Sequence, residues 1–460
     1  MEERVERAER IERSKIKQFL QKYHLDAGKI DFEENICRFM TEMTKGLEGK
    51  ESSLAMLPTF LEVSDVLPAD EPVLVLDAGG TNLRAAVVRF SGEKKPIIEN
   101  YAQYPMPGTR GEIGKEEFFH GLAEALLPLL PLVPKGTPIG FCFSYPTEMA
   151  PDLDGRLLKL TKEIAVRDLE GARVGENLFK ALRQKGYRGE KKIVVLNDTV
   201  ATLLAGQAAA TERFYDSFIG LILGTGTNTA YMEENHRIKK LSDLAPGRSM
   251  IINVEAGSYA QAPRGELDRE LDRELSDPGF YVFEKMISGA YLGKLVWKAL
   301  QRAGAEGIFS PGFTQTLSQG KDLKTSDVND FLNYPPGAGN PLYRCITREN
   351  REGTENLRDS ARVYRIMDGI LERAALLTAI NLSALIVKTG KGLNPCRPVC
   401  ITAEGTTFYS LKGFKIKVEY YLKKHLVEER GIFYEIVRVD HATLTGAAVA
   451  ALTKFHKREK

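Results

Sequence analysis

The residues Leu76-Asp77-Ala78-Gly79-Gly80-Thr81-Asn82-Leu83-Arg84 constrain this chain more than any other stretch. They join two apolar runs, Val73–Leu76 and Ala85–Val88, and read as strand, tight turn, strand. Paired glycines let backbone N–H groups approach an anion, and Thr81 and Asn82 add side-chain donors. Asp77 is placed to hold Mg²⁺ through water, and Arg84 adds a fixed positive charge. The stretch reads as a phosphate-binding hairpin, distinct from a Walker A loop, whose Gly-Lys-Ser/Thr ending and following helix are missing. A plain glycine turn between two strands is the competing reading.

At 460 residues the chain is long enough for two or three domains. A formal net charge of +2 favours neither nucleic acid nor an anionic membrane as partner. The five cysteines (Cys37, Cys142, Cys345, Cys396 and Cys400) are sparse and odd in number, which fits free thiols in a reducing compartment. Cys396 and Cys400 lack the second ligand pair that a metal site needs. The densely charged residues 1–15 do not read as a secretory signal. No apolar run is expected to approach the roughly eighteen residues of a membrane span, and a soluble cytoplasmic protein is expected.

Residues 1–24 read as a charged helix with an apolar edge at Ile16, Phe19 and Leu20, and 31–48 as a second helix. Strands are expected at Val73–Leu76, Ala85–Phe90, Ile97–Tyr104, Ile139–Phe143 and Lys192–Leu196, with helices near 115–130, 174–185 and 199–209. The pattern then repeats. Phe218–Leu223 ends in Gly224-Thr225-Gly226-Thr227-Asn228, followed by a strand-like Thr229–Met232. This echo implies two related α/β units with a nucleotide between them. A dinucleotide site at Gly224-x-Gly226 is disfavoured, because the third glycine and the following helix are missing. Phe283–Leu300 and Asn356–Val387 carry helical apolar stripes, Ile308–Leu342 reads as a surface excursion, and a strand at Val399–Ala403 precedes a final helix from Leu444.

Three further constellations carry chemistry. Asp198, in Asn197-Asp198-Thr199, follows a buried strand and projects where α/β proteins bind ligands; it is either a general base or a helix N-cap. Ser144 follows the strand Gly140–Phe143, outside any Gly-x-Ser-x-Gly elbow. Asn228, Glu255 and Glu284 offer the acids and amides that a polyhydroxylated ligand requires.

Together these segments resemble the hexokinase family. The resemblance runs from about Phe19 to Leu452. It rests on Met56-Leu57-Pro58-Thr59-Phe60, the Asp77–Arg84 turn, Phe143-Ser144-Tyr145-Pro146, Thr161-Lys162 and Asn197-Asp198-Thr199. It continues through Gly224–Asn228, Asn253-Val254-Glu255 and Phe283-Glu284-Lys285-Met286-Ile287-Ser288-Gly289. It implies an α/β, two-domain ribonuclease H-like (actin/hexokinase) fold with a deep interdomain cleft. The smaller domain would span 62–200 and be completed by the C-terminal helix at 444–460. The larger would combine the N-terminal helices of 1–61 with 201–443.

The resemblance also implies transfer of the γ-phosphoryl group of ATP to the 6-hydroxyl of a hexose: glucose, or else mannose or fructose. Ser144, Thr161, Lys162, Asn197, Asp198, Asn228, Glu255 and Glu284 would hold the sugar. Asp198 would act as base, with Lys162 and Arg84 beside it. Asp77 would support Mg²⁺ indirectly. Gly79, Gly80, Thr81, Asn82, Arg84 and Thr225 would hold phosphates, and Gly405 and Thr406 would lie near the adenosine. Three departures stand out. Glu404-Gly405-Thr406 replaces Asp-Gly-Ser or Asp-Gly-Thr. His441-Ala442-Thr443-Leu444 replaces Asp-Gly-Ser-Gly, so that side chains at 442 and 444 are expected to crowd the nucleoside. Ala256-Gly257 and Glu163-Ile164 replace Trp-Gly and Gly-Phe at the outer sugar wall.

Overall fold

The computed structural model describes residues 2–63, 67–160, 164–210, 213–334, 339–347 and 353–456, with side chains from residue 10 onward. Two sheets organise it. The first runs Ile193–Leu196, Ile139–Phe143, Val73–Ala78, Asn82–Phe90, Pro96–Pro105. Its first three strands are parallel, and the other two pair antiparallel. The second sheet places Ser217–Leu223 antiparallel to Thr227–Glu234, which pairs antiparallel with Ser249–Asn253; on its other side Ser217–Leu223 is parallel to Val399–Glu404 and then Tyr434–Val437. Numbered by order of appearance within each unit, both sheets read 3-2-1-4-5. The echo of glycine turns is therefore a repeated fold unit, with each turn closing the first hairpin of its sheet. The short strand Leu57–Pro58 extends the second sheet beyond Ser249–Asn253.

Strand periodicity follows burial. Val73–Ala78 and Ile139–Phe143 are buried along their whole length, as central strands covered on both faces must be. Helices Lys115–Leu126 and Val174–Gln184 cover one face of the first sheet, with Phe118, Leu122 and Leu178 in its core. The helix Ala442–Phe455 covers the other, and helix Asp198–Ala209 packs between it and the second sheet. The last helix of the chain thus packs on strands formed near its beginning.

That packing is close enough to involve backbone. A Cβ at Gly446 would lie 1.8 Å from the Ala201 carbonyl oxygen, and one at Gly140 would lie 2.2 Å from that of Ala447. Gly220, in the second sheet, meets the Thr199 carbonyl at 2.2 Å by the same measure. The order is therefore first sheet, C-terminal helix, helix Asp198–Ala209, second sheet, with glycine wherever two backbones touch.

Several expectations change. Ile308–Leu342 is no surface excursion: it contains helices Pro311–Gln319 and Thr325–Asn333 and the start of Pro341–Ile346. Phe313, Leu317, Val328, Phe331 and Leu342 are buried in the main core. Their short helical stripes are interrupted by prolines and glycines, which hid the period. The Phe283–Leu300 stripe divides into Glu284–Ile287 and Leu292–Ala305, because Gly289 leaves the helix to donate to the Gly224 carbonyl at 2.8 Å. Thr354–Thr389 is one helix, and it overturns the expectation about apolar runs. It is long and apolar enough to cross a membrane, but 89% of its most apolar window is buried inside the protein. It is the central core helix, where all-round apolarity is required.

Gly446→Ala is expected to destabilise the protein by about 3 kcal/mol, since neither backbone can retreat. Gly92→Ala, where a Cβ meets nothing within 4 Å, is the control and should change little. Urea midpoints of the two variants check this.

Candidate functional site

Asp77 ends the innermost strand of the first sheet and is buried. Arg84 faces it across the hairpin register and bonds to its Oδ2 at 2.9 Å. Thr443 Oγ1, from the C-terminal helix, donates to the same oxygen at 2.9 Å. Burial pushes the Asp77 carboxyl upward, opposed by Arg84 and Thr443. The turn beyond is built from its own groups. The Gly79 N–H donates to the Asn82 carbonyl at 3.0 Å, and the Asn82 amide is held by Thr81 and by Gln103. Gly79 and Asn82 therefore shape the turn, and Gly80 and Thr81 form its tip.

Helix Asp198–Ala209 begins beside this turn. Asn197 is its N-cap, accepting from the Thr199 N–H at 3.0 Å, and Asp198 Oδ1 accepts from the same N–H at 2.8 Å. From Asn197 a chain of amides crosses to the second sheet. Asn228 Nδ2 reaches Asn197 Oδ1 at 3.4 Å and donates to Asn253 Oδ1 at 2.7 Å; Asn253 Nδ2 donates to Glu255 Oε1 at 2.8 Å. Glu284 closes the group by accepting from the Thr227 N–H at 2.8 Å. A Cβ at Gly226 would lie 2.6 Å from Glu284 Oε2, so that glycine admits the carboxylate. Glu255 has φ 58°, ψ 47°, a left-handed conformation that costs a non-glycine residue about 1–3 kcal/mol and persists where its surroundings fix it.

A cavity of about 440 Å³ opens beside the second glycine turn, lined by Thr225, Gly289, Lys294, Thr325, Asn329 and Thr406, with Leu323 and Leu411 as apolar wall. It is a size suited to a nucleoside. Gly405, which precedes the lining residue Thr406, has φ 119°, and a Cβ there would lie 2.2 Å from the Leu223 carbonyl. Ala442 and Leu444 do not line this cavity; both are buried, so the expected crowding is absent. The side chain at 444 replaces a glycine of the family pattern by filling core instead.

The structure thus gathers Asn197, Asp198, Asn228, Glu255 and Glu284, places Asp77 and Arg84 next to them, and sets Thr225, Gly405 and Thr406 on the cavity side. Ser144 is buried near the first turn, where its N–H donates to the Ala78 carbonyl at 3.1 Å. Thr161 and Lys162 lie outside the described residues. Sequence reasoning missed three site residues: Asn253, Thr443 and Glu404. Glu404 terminates the parallel strand Val399–Glu404, the strand-end position that had pointed to Asp198. Burial, Asp77 and Asp198 push its carboxyl up to about 7. Its Oε2 is buried without a hydrogen-bond partner among the described residues. Glu404 thus adds a third acid within electrostatic range of Asp77 and Asp198, a surplus of negative charge that a hard, oxygen-seeking cation would relieve.

The family models and the curated relatives name one family. Models described as Hexokinase match residues 15–208 and 218–453. Rice Hexokinase-9 is 30% identical over 443 residues, 91% of this chain and 86% of the relative. Human Hexokinase-1 is 32% identical over 367 residues, 76% of this chain but 38% of that longer relative. Among solved structures, the hexokinase of Schistosoma mansoni complexed with glucose superimposes with a TM-score of 0.77 at 23% identity, covering 96% of this chain and 99% of that one.

Glu404 generates a pH prediction for the unliganded protein. Its folded pKa, about 7, stands above the ordinary glutamate value of 4.5, so the folded state holds its proton longer than the unfolded state. Stability from this group is therefore fully present below about 4.5 and falls as pH rises to about 7, by on the order of 3 kcal/mol. Glu404→Gln should match the wild type near pH 4 and exceed it at pH 8 in urea unfolding.

Proposed function

The chain belongs to the hexokinase family and is a hexose-phosphorylating kinase; we propose that it transfers the γ-phosphoryl group of ATP to the 6-hydroxyl of a hexose, with glucose as leading acceptor. The observation that carries this reading is the hydrogen-bonded chain Asn197–Asn228–Asn253–Glu255, which starts beside Asp198 and opens onto the Asp77–Arg84 turn. Acids and amides at one end suit sugar hydroxyls, which need mixed donors and acceptors. A cation and turn amides at the other suit phosphate.

In this reading Asp198 accepts the proton of the 6-hydroxyl. The sugar oxygen bonds to the γ-phosphorus as the bond to the ADP oxygen breaks. The transition state is loose, so alignment and charge stabilisation provide most of the acceleration. Arg84 and Lys162 supply positive charge at the transferring group. Asp77, with Asp198 and Glu404 in electrostatic range, would hold Mg²⁺, which neutralises phosphate charge when bound. The adenosine would occupy the 440 Å³ cavity beside Thr225 and Thr406. The smaller lobe of 62–200 with the C-terminal helix, and the larger lobe of the N-terminal helices with 201–443, would close on the sugar and exclude water. Cys37, Cys142, Cys396 and Cys400 are free thiols, which supports a reducing, cytoplasmic setting.

A panel of hexoses assayed with ATP and Mg²⁺ tests the proposal. Hexose 6-phosphate should form, and chelating the metal should abolish it. Asp198→Ala should lower kcat by about 10² to 10⁴-fold while sugar binding stays near the wild-type value. Sugar binding without product, with every hexose, would replace the enzyme reading by that of a sensor.

A further inference from the structure

The loop that leads into Glu284 carries two consecutive aromatic residues, Phe280 and Tyr281. Tyr281 has φ 51°, in the left-handed region. For a bulky aromatic residue that conformation is strained and persists only where its surroundings fix it. The loop is clamped in place. Lys285 is buried, and its ammonium donates to Asp272 Oδ1 at 2.7 Å and to the Asp277 carbonyl at 2.7 Å, with Asp277 Oδ1 at 2.9 Å. The Gly279 N–H is shared between both Asp272 oxygens, and the Lys285 N–H donates to the Tyr281 carbonyl at 3.1 Å. A buried cation with two acids is a costly way to fix a surface loop, and here it fixes the direction of Tyr281.

The two aromatic side chains face different partners. The Tyr281 phenol is half-buried within electrostatic range of Glu255 and Glu284, the two acids of the candidate sugar site. Burial and these acids hold its pKa up at about 12, so it is a neutral O–H donor throughout the physiological range. Phe280 is exposed, and Lys159 Nζ sits 4.5 Å from its ring centroid. Lys159 belongs to the opposite lobe, just before Thr161 and Lys162 in the chain. The cation–π contact thus joins the lips of the cleft directly outside Tyr281.

We propose that Tyr281 is a specificity-determining residue of the hexose site, packing its ring and phenol against the edge of the sugar remote from Asp198. This rests on the reading in which Asp198 takes the 6-hydroxyl. Carbon 2 stands opposite carbon 5 across a pyranose ring, so Tyr281 faces the substituents at and beside carbon 2. An aromatic ring held there by a clamped backbone stacks on an unsubstituted hexose and leaves no room for a bulky acylamino group at carbon 2. The Phe280–Lys159 contact closes the lips over it.

The test compares binding of glucose and N-acetylglucosamine by calorimetry, alongside turnover with ATP and Mg²⁺, in the full chain. Tyr281→Gly removes the ring and relieves the left-handed strain, so it should melt no lower than the wild type. It should weaken glucose binding about tenfold and shrink the glucose preference over N-acetylglucosamine, with the KM for ATP unchanged. Tyr281→Phe keeps the ring, and should keep the rejection of N-acetylglucosamine while losing part of the glucose affinity; it serves alone if the glycine variant does not fold. A preference ratio that neither variant changes by more than about twofold overturns the assignment. A wild type that turns hexose over while Tyr281 proves indifferent sinks this inference and leaves the kinase reading standing. A wild type that binds hexose through Tyr281 without turnover does the reverse. No binding of any hexose overturns both.

Discussion

The structure depends on the contact between the backbones of helices Asp198–Ala209 and Ala442–Phe455, which Gly446 allows by carrying no side chain against the Ala201 carbonyl. With Gly140 beneath one helix and Gly220 beneath the other, the two sheets are brought to a fixed separation through two layers of helix. Close packing of this kind transmits displacement instead of absorbing it. The N-terminus of Asp198–Ala209 is therefore held where the glycine turns of both sheets open. The contact also gives the C-terminal helix its function: Thr443 reaches Asp77 only because that helix is seated on the first sheet.

Around that fixed point the site has two chemically different ends. Asp77, Asp198 and Glu404 crowd acidity into a space with Arg84 as the nearby cation, and the buried Cys142 thiol among them is pushed well up by burial and by Asp77 and Asp198. Such a cluster is unfavourable alone and is relieved by added positive charge. The other end is nearly neutral at its centre, with Asn197, Asn228 and Asn253 relaying one hydrogen-bond direction toward Glu255. One end asks for cations and phosphate, the other for hydroxyls, and Asp198 lies between them.

Left-handed non-glycine backbone occurs at several places along the chain, and two of its instances lie at this second end. Glu255 and Tyr281 are both left-handed, and both border the candidate sugar site. The surrounding bonds over-determine each: Ala256 N–H is held by Asn228, and the loop at Tyr281 by Lys285. Strain retained this way keeps the pocket in its binding shape before the ligand arrives.

Local chemistry determined much of this in the sequence. The two glycine turns between apolar strands, the buried strand ending at Asn197-Asp198 and the final helix all depend on neighbours in the chain, so they were legible there. Asp77 and Arg84 were legible as charged residues of the first turn, while their pairing across the hairpin came only with the structure. Tertiary structure decided the rest. The apolar window within Thr354–Thr389 could not reveal whether lipid or protein surrounds it, because composition is the same in either case. Helices within 308–342 were hidden because their stripes are only one or two turns long. Ala442 and Leu444 were expected to crowd a nucleoside, but helix orientation buries both in the core. Glu404 stands far in sequence from Asp77 and Asp198, and a carboxylate's proton affinity is set by burial and by charges that only folding brings near.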